Sequence, residues 1–237
     1  MTTNLATMES RVRQMLTDTG ATAYSVGTID EAIRQAIAEY SDSFPRQVDT
    51  IVTLPAAGRE IALANLTEIN SVLAVYWPFD PSKDVWPPNR VSGFRLDFDD
   101  GQPLLTLTSD LGDEPQANDD VRILYGTLHH LDDLDGAAGT SIPPSHESII
   151  VLGAAGFAAT MRSGDVTSTY TQTPRTLANL SVWAAMRVAE FRAKIARIAA
   201  QSIGHGPAFS AGWQLDQWEG QGVVYPHQGT PPVQPVR

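Results

Sequence analysis

The sequence predicts an α+β protein: a helical bundle with an inserted antiparallel β-sandwich or barrel subdomain, followed by an extended C-terminal arm. Three observations carry this. Apolar residues recur every three or four positions as far as Phe44, alternate from Val48 to Tyr125, and return to the helical period from Glu147. Residues 174–203 form the longest uninterrupted periodic segment. Past Gly204 the chain becomes rich in glycine, proline and glutamine with isolated aromatics, a composition that builds no core of its own. These shifts divide the chain into residues 1–47 (N-terminal helices), 48–127 (β subdomain), 128–204 (C-terminal helices) and 205–237 (arm).

In chain order, residues 5–16 place Leu5, Met8, Val12, Met15 and Leu16 on one face of a short helix, with Glu9, Arg11 and Arg13 turned away. Thr19 and Gly20 end it. A second helix is expected to begin at Thr28, which has capping-box spacing to Glu31 and gains favourable first-turn charge from Asp30. Its stripe is Ile29, Ile33, Ala36, Ile37, Tyr40 and Phe44. Pro45 stops it, because the residue before a proline is pushed out of helical angles. The alternation of Val48, Thr50, Val52 and Leu54, turn residues at 55–58, and Ile61 with Leu63 predict a hairpin. Residues 72–77 are apolar on both faces, as in a buried strand. Residues 78–89 form a proline-rich loop carrying Phe79 and Trp86. Residues 91–98 and 103–108 flank Asp99, Asp100 and Gly101, a second hairpin. Residues 119–125 give a last strand with Val121, Ile123 and Tyr125 on one side. Strands joined by such short turns predict a sandwich or barrel.

Residues 128–144 read as a polar connection. Residues 147–162 predict a helix of small residues; Gly153 and Gly156 each cost about 1 kcal/mol there relative to alanine, which points to close approach of another backbone at the centre of a bundle. A polar linker, 163–173, leads into the long helix. That helix carries Leu177, Leu180, Ala184, Val188, Phe191, Ile195 and Ile198 as one stripe, admits Pro174 in its first turn, and stops at Gly204, Gly206 and Pro207. At about 1.5 Å per residue it is a rod of roughly 45 Å, expected to be the element against which the others pack. Beside the apolar stripe runs a charged one of Arg187, Glu190, Lys194 and Arg197, with Glu190 placed to pair with Lys194. It reads as a solvated face or as a contact with another subunit or a passing polymer.

Among the 237 residues there is no cysteine, which excludes disulfides and thiolate metal sites. No run reaches the roughly 18 apolar residues of a membrane span, and the N-terminus lacks a signal-peptide pattern, so a soluble protein without a membrane partner is expected. A net charge of −11 argues against coating nucleic acid, since that relies on cations neutralising phosphates, but not against a surface that DNA slides past. His129 and His130 with Asp132, Asp133 and Asp135, and His146 with Glu147, are weak metal candidates because they lack the His-x-x-x-His spacing of a helical site. Asp97, Asp99, Asp100 and Gly101 resemble the start of a calcium loop, but Thr108 stands where the distal glutamate belongs. Ser145, His146 and Glu147 are consecutive and form no triad, and no nucleophile elbow or phosphate loop is present. No catalytic, cofactor-binding or metal residue is therefore expected. In the tail, Trp213 and Trp218 are read as anchors and Val223, Val224 and Tyr225 as a short run suited to strand addition, together docking an arm on another chain, the alternative being a tail folded back on its own subunit.

The order of features resembles the head-to-tail adaptor, or connector, proteins of tailed bacteriophages. The resemblance lies in Arg11, Val12, Arg13, Leu16 and Asp18, the helix from Ile29 to the Phe44-Pro45 stop, a β-rich insertion, the strand around Val121 to Tyr125 leading to His129 and Leu131, the Ile142-Pro143 step, the small-residue helix, and a long last helix. It spans residues 5–204 as a pattern. It implies a non-enzymatic virion protein assembled in the host cytoplasm: one subunit of a dodecameric ring in the neck, between capsid and tail, extending the DNA channel. Its implied partners are the portal protein, clasped by C-terminal arms, a tail or nozzle protein, and genomic DNA that passes without sequence-specific binding. The large β insertion and tryptophan-bearing tail depart from that family. A different class of function, a ligand- or carbohydrate-binding β module of a virion surface or tail protein, would use Trp77, Phe79 and Trp86 as a stacking platform.

Overall fold

The structure, a computed structural model, describes residues 3–64, 66, 68–83, 89–108, 112–168 and 174–204. It is an α+β fold with helices α1 (Leu5–Met15), α2 (Val26–Ser43), α3 (Glu147–Ser168) and α4 (Pro174–Gly204), and strands β1 (Arg46–Thr53), β2 (Glu60–Ala62), β3 (Ile69–Phe79), β4 (Phe94–Asp99), β5 (Gln102–Leu107) and β6 (Asp120–Thr127). The described residues up to Ile195 form one compact unit, which holds every contact described below; from Ala196 the chain belongs to a second.

Helix α1 starts where Asn4 Oδ1 accepts the Thr7 N–H at 3.1 Å. The turn after it is built on Asp18, whose carboxylate accepts the backbone N–H groups of Thr22, Ala23 and Tyr24, each at 3.0 Å. Arg13 holds that carboxylate from the other side, its Nη1 3.3 Å from Asp18 and 3.0 Å from the Tyr24 carbonyl. Arg13 is thus buried rather than turned to solvent, while Met15, placed on the apolar face by spacing alone, is 38% exposed. The Asp18 turn delivers the chain to Ser25 in an extended conformation, so Ser25 rather than Thr28 caps α2, accepting the Thr28 N–H at 3.1 Å. Asp30 consequently falls beyond the first turn.

The hub of the helical side is α3, not the longer α4. Helix α3 packs against both α1 and α2, and its Ile150, Ala154, Ala155, Ala158 and Ala159 are fully buried. It also runs on to Ser168, into the stretch that composition assigned to a linker. Helix α4 meets α3 at the two glycines. A Cβ on Gly156 would lie 3.1 Å from the Val188 backbone nitrogen, the close approach that two glycines in a helix imply, and one on Gly153 would lie 2.8 Å from the Phe191 ring.

The strands make two small antiparallel sheets, ordered β1-β6-β3 and β2-β5-β4, and among the described residues no closed barrel forms. The Asp100 and Gly101 turn joins β4 to β5 as its sequence predicts, both residues having positive φ. The expected hairpin between β1 and β2 does not form: β1 pairs with β6 and β2 with β5. Leu54 is exchanged instead with the chain entering β6, through Leu54 N–H to the Asp119 carbonyl and Asn118 N–H to the Leu54 carbonyl, at 2.9 and 2.8 Å. Side chains of both sheets meet in one cluster that includes Leu54, Ile61, Val75, Leu105, Val121 and Ile123.

The two environments along α3 make opposite predictions for one kind of substitution. At Gly164, with nothing within 4 Å of an added Cβ, Gly164→Ala recovers the helix-propensity difference of about 1 kcal/mol. At Gly153 the same change overpacks the Phe191 ring by about 1–3 kcal/mol, which outweighs that gain. Urea titration is expected to show Gly164→Ala raising the midpoint and Gly153→Ala lowering it.

Candidate interaction surface

Helix α4 has two faces. Its inward face follows the predicted stripe: Ala184, Phe191 and Ile195 are buried, with Phe191 edge-on to Phe157 of α3 at 5.9 Å between ring centres. On the opposite face Val182 and Met186 stand 59% and 61% exposed, and Ala189 and Ala193 continue the same spacing along the helix, also exposed. The sequence holds the signal for this second stripe, since 182, 186, 189 and 193 repeat at spacings of four and three, but the adjacent charges draw attention away from it. Between α3 and α4 lies a groove of about 670 Å³, lined by Phe157, Thr160, Ser181, Ala185, Val188 and Ala189.

The charged stripe is a network within the helix. Glu190 accepts from Arg187 at 2.7 Å and from Lys194 at 3.0 Å, so the pairing with Lys194 occurs as spacing predicts and Arg187 joins it. Hydrogen bonding by Lys194 holds the Glu190 carboxyl below its ordinary pKa. The Arg187 guanidinium also lies over the Trp183 ring, 5.6 Å from its centre. Arg197 is exposed farther along the helix. Arg192 instead reaches Glu39 of α2 at 3.1 Å and ties the rod to the body. Trp213, Trp218, Val223, Val224 and Tyr225 lie outside the described residues, as does Trp86.

Several of the polar residues singled out as metal or catalytic candidates are engaged in internal contacts. Asp135 pairs with Arg34, and Glu147 with Arg11 at 2.6 Å. His130 lies 3.3 Å from Arg46, and His146 is 2.6 Å from the Tyr40 hydroxyl. His129 sits between the carbonyls of Phe44 and Ser141, at 3.0 and 3.1 Å. Asp97 is paired with Arg95 beside the β4–β5 turn. Among the described residues no three His, Asp or Glu side chains converge to hold a metal ion. The segment read as a polar connection is in fact a packed one, with Leu131 and Ile142 buried and Asp132 bridged to Asn4. Trp77 presents no stacking face, being 7% exposed in the strand core with Nε1 donating to Asp119 at 3.3 Å.

No protein-family model and no curated protein matches the sequence. Among solved structures, the chain is similar to one in "Neck of empty GTA particle computed with C6 symmetry", at 17% identity and a TM-score of 0.28, over 66% of this chain and 80% of that chain.

If the charged stripe of α4 is a surface and not a support, Glu190→Gln leaves the urea midpoint unchanged. Phe191→Ala, on the buried inward face, should cost about 3–5 kcal/mol. An equal loss from both would assign Glu190 to the stability of the subunit.

Proposed function

We propose that this protein is a structural subunit of a ring in the neck of a phage-like particle, between the portal of the capsid and the tail, and that the outward face of α4 contributes to contact between subunits. The observation that carries the reading is a long helix held to the body by one face while Val182 and Met186 stand exposed on the other. Large apolar side chains grouped on an exposed face are the usual mark of an interaction surface. The order of elements from α1 to α4 supports the same assignment, because it follows the sequence of features by which the chain resembles head-to-tail adaptors. A dodecameric ring is the stoichiometry that resemblance implies.

Two physical points agree with this role. A strongly acidic ring lets a polyanion pass, whereas a basic one would retain it through counterion release. Residues 205–237 serve in this reading as an arm onto the portal, with Trp213 and Trp218 as anchors. Each buried tryptophan contributes roughly 150–250 Å² of contact, and repetition around a ring multiplies the attachment.

Sedimentation of the full chain and of Met186→Glu tests the subunit contact. The wild type is expected as a closed oligomer and the variant as a folded monomer with unchanged melting; a wild-type monomer across the accessible concentration range would contradict the reading. Deleting residues 208–237 is expected to leave melting unchanged and abolish attachment to portal-bearing capsids. A truncated chain that still attaches, or that no longer folds, removes the arm from the account.

A further inference from the structure

The edge of a sheet leaves backbone N–H and C=O groups without a ladder partner, and folded proteins shorten, bulge, charge or cover such strands. Three of the strand edges here are treated in one of those ways. Strand β3 carries register shifts and is bonded along its outer side by residues 89–91, through Val91 N–H to the Val75 carbonyl at 2.9 Å and Trp77 N–H to the Asn89 carbonyl at 3.0 Å. Strand β2 is three residues long, and β4 carries Arg95, Asp97 and Asp99. Strand β1 differs from all three. Its eight residues pair with β6 without a register shift, it contains no proline, and among the described residues no backbone bond reaches its other side. Of its two charged residues, Arg46 lies at the end and Asp49 is committed to Arg122 of β6 at 2.9 Å.

The same edge is where the strand core stays open. Val121 and Ile123 of β6 are fully buried, while Val48 and Val52, opposite Tyr125 and Val121, are only partly buried. On the other face of β1, Ile51 is 47% exposed. Residues 205–237, outside the described ones, contain a segment whose chemistry fits that edge. Val223, Val224 and Tyr225 are their longest apolar run, no charged residue stands from Gly220 to Pro226, and Pro226 would end a strand. Because side chains alternate between faces, setting Val224 opposite Ile51 brings Val223 and Tyr225 beside Thr50 and Val52, whichever way the added strand runs. Both uncovered faces of β1 then receive apolar cover.

We infer that β1 is an acceptor edge for strand addition, taking Val223, Val224 and Tyr225 from a neighbouring copy of this chain. The contact rests on the ring and arm proposed above, and it gives the arm a second partner, the adjacent subunit, with Trp213 and Trp218 left for the portal. Val223 follows Gly204 by 19 residues, up to about 60 Å of extended chain, which is about twice the diameter of a small domain and puts a neighbour within reach. Donor and acceptor are different segments, so the contact runs head to tail and can repeat around a ring. Pairing β1 with β1 of a second copy would instead close on a two-fold axis after two subunits. An added strand leaves the bonds between β1 and β6 as they are, so its removal alters the contact between copies and not the fold of the subunit.

Because the chain has no cysteine, introduced thiols report this contact without background. Facing residues on paired strands stand about 4.5–5.5 Å apart, within the span of a short bis-maleimide. The full chain carrying Ile51→Cys and Val224→Cys is expected to give a ladder of covalent multimers on a denaturing gel. The ladder should form about tenfold or more faster than with Phe98→Cys and Val224→Cys, since Phe98 is also exposed but lies on β4 of the other sheet. Crosslinks confined to single chains would mean that the tail lies on its own subunit, and would overturn the inference. Equal rates for the two variants, or no crosslink at all, would overturn it as well. Sedimentation separates this contact from the ring: a closed oligomer that yields no ladder contradicts strand addition alone, whereas a ladder from an assembly that does not close supports strand addition and contradicts the ring.

Discussion

The helical side depends on how closely α3 and α4 approach. Gly153 and Gly156 remove the two side chains that would hold the helices apart, and the space is taken by the Phe191 ring and the backbone at Val188. Close packing of this kind gains dispersion contacts that a helix lined with larger residues would forgo. Helix α3 thus packs against α1, α2 and α4. Held this way by its inward stripe, and by Arg192 on Glu39 of α2, α4 leaves Val182 and Met186 exposed.

The elements whose signals are local were legible. The α2 stripe from Ile29 to Tyr40, the glycine pair of α3, the α4 rod and the turn at Asp100 and Gly101 all follow from period and turn chemistry. What failed depended on distant residues. Nothing within 48–63 says that β1 belongs with β6; that choice is made by backbone bonds between Leu54 and residues 118–119. Arg13 was misplaced because its partners, Asp18 and the Tyr24 carbonyl, belong to a turn whose geometry the helical period does not report. Length makes α4 prominent in the sequence, whereas the burial that makes α3 the hub depends on residues of α1 and α2 distant along the chain.

At the candidate surface, the internal pairing of Glu190 with Lys194 could be read from spacing, but the exposure of Val182 and Met186 could not, since exposure follows from which face α3 covers. The titratable residues tell a related story. His129, Asp135 and Glu147, candidates for chemistry by sequence, have structural tasks: His129 meets the Phe44 carbonyl, Asp135 pairs with Arg34 of α2 and Glu147 ties α3 to Arg11 of α1.

The central claim, that this chain is a ring subunit of a particle neck, is tested most directly by cryo-electron imaging of purified particles with the chain labelled at a loop such as 99–102. The account predicts a closed ring of label on the particle axis, between capsid and tail. Label scattered over the capsid, confined to the tail tip, or present as a single off-axis copy would contradict it.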